Sequence, residues 1–360
     1  MKLIANIKLC PTAEQHTALL QTLETANAAC TWIAGQAWAS ETFGQFKLHK
    51  LTYTACRTLF GLSAQMVVRC IAKVADAYKL DRKTRRQFRK HAAQPYDDRI
   101  FRFRSDTEIS LWTRAGRLTV LYQCGERQRA LLAFRKGEVD LMYVGGQWYI
   151  ACVCDVPDPE EVGMTDVMGI DLGVVNLAVD SHGTVYSGEA VERHRRIYIH
   201  RRRNLQRNGT RAAKRKLQKI SGKQSRFQRN ENHCIAKKVV RTAQRNGWGI
   251  ALEALHGIRT RIKARRRQRG RLHNWAFHHL RQCITYKARM VGIPVIAVDP
   301  RHTSQTCPQC GHVAKANRKS QAEFSCLQCG YAAPADAVAA LNIRARVLVN
   351  APMVAVPRQQ

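Results

Sequence analysis

Acidic residues are scarce in this sequence: 26 Asp and Glu stand against 60 Lys and Arg, a formal net charge of +34. A positive field of that size resists compaction unless a polyanion neutralises it, so an acidic partner is expected. Long apolar runs are also missing. No uninterrupted stretch approaches the eighteen or so residues that cross a bilayer, and no lipidation motif is present. Nucleic acid is therefore the expected polyanion, and no membrane partner is expected. The opening Met1-Lys2-Leu3-Ile4-Ala5-Asn6-Ile7 alternates like a strand and has neither the apolar stretch nor the cleavage site of a signal peptide, so a cytoplasmic protein is expected. A complete disulfide set is excluded by an odd total of 13 cysteines. Cys30, Cys70, Cys152, Cys154 and Cys283 sit singly in apolar runs, as reduced buried thiols do. No fixed-period repeat runs through the chain.

What remains is a folding sequence. A hydrophobic fraction of 45% buries real cores, and 360 residues suggest two or three domains. Thr12 to Gln15 reads as a capping box, and Leu19, Leu20, Leu23, Ala26, Cys30 and Ile33 continue an apolar face at helical spacing. A second helical stretch is expected from Ser63 to His91, ending in a run dense in Lys and Arg whose bland reading is a solvated face. From Arg99 to Asp155 the period changes to two, and Gly145-Gly146 between Leu141–Val144 and Gln147–Ile150 marks a hairpin. Pro157-Asp158-Pro159-Glu160-Glu161 predicts a boundary near 160. Beyond it, residues 193–229 and 259–271 form two strongly basic segments that flank one apolar strand. They contain Arg195, Arg196, Arg201, Arg202, Arg203, Lys214, Arg215 and Lys216 in the first, and Arg265, Arg266 and Arg267 in the second. These are the candidate nucleic-acid contacts.

The strongest chemical signal is a pair of CxxCG knuckles. Cys307 and Cys310 precede Cys326 and Cys329, with fifteen residues between the pairs. Four sulfur ligands without an open position suit structural Zn²⁺. Three isolated carboxylates form the second signal. Asp171 interrupts the apolar run Val167-Met168-Gly169-Ile170, Glu253 interrupts Ile250-Ala251-Leu252, and Asp336 opens a helical pattern immediately after the second knuckle. Taken one at a time, Asp171 reads equally as a turn residue and Asp336 as a helix-dipole residue. If they converge at one sheet edge, they would hold two Mg²⁺ or Mn²⁺ for phosphodiester hydrolysis. Asp299, a rival, reads as a turn residue before Pro300.

In the C-terminal half these residues resemble the TnpB (OrfB) family of transposon-encoded RNA-guided nucleases, related to the type V CRISPR effectors. The likeness rests on Gly169-Ile170-Asp171-Leu172-Gly173, Asn232-His233 with Ile235-Ala236-Lys237, and Glu253 with Leu255, Gly257 and Ile258. It continues through Val298-Asp299-Pro300, Thr303-Ser304-Gln305-Thr306-Cys307, and Asp336 with Ala339-Ala340 and Asn342-Ile343. It implies an α/β fold: an RNase H-like (RuvC) nuclease core with inserted basic helices and a zinc ribbon, preceded by a β-barrel-like module with a helical insertion. The implied division is an N-terminal β-rich (WED-like) module with a helical (REC-like) insertion over 1–160 and a RuvC-like core over 161–302. A zinc ribbon over 303–332, a final RuvC helix over 333–350 and a flexible tail over 351–360 complete it. Asp171, Glu253 and Asp336 are the implied catalytic residues and Mg ligands. The implied partners are a guide RNA from the transposon end and double-stranded DNA bearing a short flanking motif, in a prokaryotic cytoplasm at the nucleoid. One departure is Val338, where the family usually carries Asn. The expected activity is RNA-guided, Mg-dependent DNA cleavage. The alternatives are a nuclease-silent RNA-guided regulator and an unguided transposase or resolvase, which the basic residues do not separate because phosphate contacts carry no sequence information.

Overall fold

The computed structural model describes residues 1–254 and 277–350. The chain divides into two compact units, Met1–Pro157 and Asp158–Gln360.

The first unit combines a seven-stranded sheet with a three-helix insertion between its first and second strands. Strand β1 (Lys2–Cys10) buries Ala5, Ile7 and Leu9 and exposes the residues between them, the alternation read from the sequence. Thr12 then caps α1 (Ala13–Ala39): Gln15 N–H donates to the Thr12 hydroxyl at 3.3 Å, and Thr12 N–H donates to Gln15 Oε1 at 3.1 Å. Helices α2 (Gln45–Phe60) and α3 (Ala64–Leu80) follow, and α1 and α3 meet through Cys30, Cys70 and Tyr78. Helix α2 was not apparent in the sequence. Its buried stripe of Leu48, Thr52 and Cys56 is one residue wide and carries a threonine.

The helix expected to reach His91 stops at Leu80. Asp81 ends it: its carboxylate accepts from Lys83 N–H and the Thr84 hydroxyl, closing a turn in place of the next helical bonds. The basic run that follows is irregular and is tied to α1, with Phe88 N–H donating to the Thr31 hydroxyl and Asn27 Nδ2 donating to the Lys90 and Ala92 carbonyls.

Strands β2 (Gln94–Tyr96), β3 (Phe101–Phe103), β4 (Glu108–Thr113) and β5 (Gly116–Gln123), helix α4 (Glu126–Leu132), and strands β6 (Arg135–Val144) and β7 (Gln147–Asp155) complete the unit. The antiparallel order is β2-β6-β7-β1-β5-β4-β3. Its two edge strands are consecutive in the chain and are joined by a turn in which Phe101 N–H reaches the Asp97 carbonyl, so the sheet nearly closes on itself. The β6–β7 connection is the two-residue turn expected, with φ of 60° at Gly145 and 81° at Gly146, a conformation that glycine adopts without strain.

The second unit is an α/β layer. Strands β8 (Asp166–Asp171), β9 (Asn176–Asp180) and β10 (Val185–Ser187) form an antiparallel meander. Helices α5 (Glu189–Asn208), α6 (Arg211–Ile220) and α7 (Lys223–Asn246) lead to β11 (Trp248–Glu253). Helix α8 (Phe277–Arg289), strand β12 (Val295–Val298), the short hairpin β13 (Glu323–Ser325) and β14 (Ala332–Pro334), and helix α9 (Ala335–Asn350) follow. The sheet order is β10-β9-β8-β11-β12, with β8, β11 and β12 parallel.

Alternation along β8 and β11 supplies two cores. Met168, Ile170, Ile250 and Leu252 face α7 and α8, where Ile235, Val239, Leu280 and Ile284 meet them. Val167 and Ala251 point the other way, against Ile343 and Val347 of α9. Gly169 sets the distance on that face: a Cβ there would stand 2.2 Å from the Ala340 carbonyl oxygen and 2.6 Å from Arg344 N. Bulkier residues would hold α9 off the sheet.

Candidate active site and cysteine cluster

Parallel pairing brings the first two carboxylates together. Ile170 lies opposite Leu252, so the next residues in each strand, Asp171 and Glu253, are neighbours at the carboxyl ends of β8 and β11. In open α/β sheets that end is where ligands bind. Helix α9 begins over the same edge and contributes Asp336 from its first turn. The three line one open cleft of about 650 Å³, together with Asn176, Thr303 and Arg318.

Each acid is held differently. The Thr303 hydroxyl lies 2.6 Å from Glu253 Oε1, and Thr303 is itself fixed by Asn342, whose Nδ2 donates to its carbonyl at 2.7 Å. Asn176 Nδ2 donates to Asp336 Oδ2 at 3.0 Å. Burial pushes the Asp171 carboxyl up to about 7, with Glu253 and Asp336 adding to the rise and Arg318 opposing it. Burial also raises Glu253, against the Thr303 hydrogen bond and the charges of Arg346 and Arg318. Asp299 lies outside the cleft, half-exposed, and its carboxylate accepts Arg301 N–H at 3.0 Å, the turn role read from Asp299-Pro300.

Sequence reasoning missed the residues that hold the acids. Asn176, Thr303 and Asn342 lie in or beside segments quoted for the family likeness, but only the fold shows what they touch. Arg318 comes from between the two knuckles, where its charge in a basic chain carried no signal. Val338, the departure from the family pattern, is fully buried with Phe324, Cys307, Cys326 and Ala335, so it packs beneath the cysteines.

All four knuckle sulfurs lie within 4.8 Å of one another. Cys307 and Cys329 are 3.6 Å apart at sulfur, as are Cys310 and Cys326. A disulfide needs about 2.05 Å. Tetrahedral zinc with Zn–S near 2.3 Å separates its sulfurs by about 3.8 Å, so the geometry fits a four-thiolate metal site. The ribbon is joined to the cleft, because Ala335 N–H donates to the Ala322 carbonyl at 2.9 Å as α9 begins.

The basic candidates are spread over α5 and α6. Arg201, Arg202, Arg203, Lys214, Arg215 and Lys216 are exposed, whereas Arg195 and Arg196 are drawn to Glu192, at 2.7 and 3.1 Å. Arg265, Arg266 and Arg267 lie outside the described residues, as do Leu255, Gly257, Ile258 and the expected tail over 351–360.

Residues 151–255 match the OrfB_IS605 family, described as "Probable transposase", and residues 277–343 match the "Cas12f1-like, TNB domain". Over these two stretches the chain is similar to the OrfB family and to Cas12f1-like proteins. Among individual relatives, the "CRISPR-associated endodeoxyribonuclease Cas12f1" of Syntrophomonas palmitatica is 33% identical over 204 residues, covering 52% of this chain and 40% of that protein. A "TnpB-like protein" of Methanocaldococcus jannaschii is 29% identical over 189 residues, 49% of this chain and 67% of that one. The chain spans about half the length of the curated relatives it matches. A solved "Cas12f1-sgRNA-target DNA complex" superposes with a TM-score of 0.62 and 17% identity, over 92% of this chain and 83% of that one, so the two share a fold. Among the described residues no helix is long and apolar enough to cross a membrane.

Proposed function

We propose that this TnpB relative is a transposon-associated, RNA-guided DNA endonuclease in which Asp171, Glu253 and Asp336 hold the catalytic divalent ions. The observation that carries the reading is a carboxylate trio gathered at one sheet end, with Asp171 raised to about 7 by burial and by its two acidic neighbours. Like charges in a partly desolvated cleft are unfavourable until a cation enters. The donors are all carboxylate oxygens, which favour hard ions such as Mg²⁺ or Mn²⁺ over softer metals. Bound there, the ions would supply activation of the attacking water and stabilisation of the leaving 3′ oxygen.

The chain's own groups do the rest. Thr303 and Asn176 fix the rotamers of Glu253 and Asp336, so the ligands are oriented before an ion arrives. Arg318 lines the cleft and offers a cation to the scissile phosphate. The exposed arginines and lysines of α5 and α6 suit the phosphates of a guide RNA and its DNA heteroduplex, which a protein reads by shape. Cys307, Cys310, Cys326 and Cys329 hold structural zinc that fastens the ribbon beside α9. The N-terminal unit, nearly closed in its sheet, is the proposed reader of a flanking DNA motif. A relative that is an endodeoxyribonuclease, and a fold shared with a protein solved with sgRNA and target DNA, support this reading.

The test is to sequence the RNA that co-purifies with the protein, then add Mg²⁺ and DNA matching that RNA. The expected outcome is a discrete RNA and cutting confined to matched DNA. A discrete RNA without cutting would favour the silent regulator, and no discrete RNA would favour an unguided transposase or resolvase.

A further inference from the structure

A second group of metal-type ligands lies on the opposite face of the sheet from α9. His233 projects from α7, and His279 and Cys283, four residues apart on one face of α8, project towards it. All three ligand atoms lie within 4.8 Å of one another. We propose that His233, His279 and Cys283 bind a second zinc ion, which clamps α7 to α8.

The separations are those of ligands around one ion. With Zn–S near 2.3 Å and Zn–N near 2.05 Å, a tetrahedral centre separates sulfur from nitrogen by about 3.6 Å. Cys283 Sγ is 3.5 Å from His233 Nδ1 and 3.7 and 3.8 Å from the two ring nitrogens of His279. The same criterion fits the four-cysteine cluster.

Supporting contacts are present as well. Asn232, adjacent to His233 in sequence, places its amide Nδ2 3.1 Å from His279 Nδ1, and a flip of the amide puts its oxygen there instead. With the amide oxygen turned to that nitrogen, it accepts Nδ1–H and leaves Nε2 for the metal, the outer contact that ligating histidines usually have. The Tyr286 hydroxyl stands 3.2 Å from His233 Nδ1, against about 3.3 Å expected between nitrogen and oxygen ligands of one tetrahedral ion. One thiolate with two imidazoles selects a borderline ion, and tetrahedral N/S coordination points to zinc.

A clamp here has a structural consequence. Helix α7 leads into β11, which ends at Glu253, and α8 leads into β12 beside it. Both helices share one apolar core against Met168, Ile170 and Leu252. The ion would fix the helix pair on which the strand carrying Glu253 rests.

The measurement is zinc per chain by mass spectrometry of the full-length protein, loaded with excess Zn²⁺ and desalted. Two equivalents are expected in the wild type. Cys283→Ser and His233→Gln should each retain one, and Cys307→Ser should also retain one, with the two sites lost together in the Cys283→Ser/Cys307→Ser pair. One equivalent in the wild type, lost entirely in Cys307→Ser, overturns the proposal without affecting the four-cysteine reading. One equivalent in the wild type overturns the proposal whether or not any variant folds.

Discussion

Asp171 is the residue at which fold and chemistry oppose each other. Its carboxyl is raised from 3.8 to about 7, first by burial and then by Glu253 and Asp336. A raised folded pKa means that the ionised form is disfavoured in the native state. The penalty is absent below pH 3.8, grows as pH rises to about 7, and is full above it. In metal-free protein, Asp171→Asn should therefore raise stability at pH 8, by about 2 kcal/mol once the full linkage value is discounted for partial solvent access, and by nothing near pH 4. Thermal or urea unfolding at the two pH values checks this, and an equal gain at both would mean that charge is not the cause. Asp171 could be picked out in the sequence because a carboxylate inside an apolar strand needs a reason. Asn176 and Thr303 could not, since a polar residue near a strand end has many uses and only the fold shows which acid it touches.

At the level of elements, the glycine of β8 and the cysteine ribbon both govern where α9 sits. Gly169→Ala puts a methyl within 2.2 Å of a backbone carbonyl, which cannot move as a side-chain tip could. A loss of roughly 1–3 kcal/mol is expected, as for other overpacked cores. If α9 shifts to relieve the contact, Asp336 shifts with it, and cleavage should fall further than the stability loss explains. Unchanged stability would show that the sheet yields at no cost. Cys307→Ser should remove one zinc and lower folded yield, because Cys307 packs with Phe324, Ala335 and Val338 under the first turn of α9. Full zinc content in that variant would mean the cluster is misread. These elements differ in how plainly the sequence announces them. Paired CxxCG spacing, the Thr12 capping box and the Gly145-Gly146 turn are local and were legible. The stop at Asp81 was not, because the basic run after it keeps good helix formers, and a single side-chain turn outweighs their propensity.

Across the whole molecule, the net charge of +34 was the first and broadest signal, and it predicts a polyanionic partner without saying which. Alternation in the first unit and apolar runs in the second foretold strands in each, but not that β8 and β11 would pair in parallel with Asp171 beside Glu253. That register depends on helices α5 to α7 intervening between the two strands, a long-range fact invisible to local periodicity. In the proposed function this register, with Asp336 delivered by α9, creates a DNA-cutting centre separable from nucleic-acid binding. The measurement that tests it most directly compares wild type and Asp171→Ala, each carrying its co-purified RNA, on matched DNA in Mg²⁺, reading cleavage and DNA binding together. Cleavage should fall by at least about 10³-fold, as when a charge-stabilising catalytic group is removed, while DNA affinity changes by less than about threefold. Cleavage retained at the wild-type rate would contradict it.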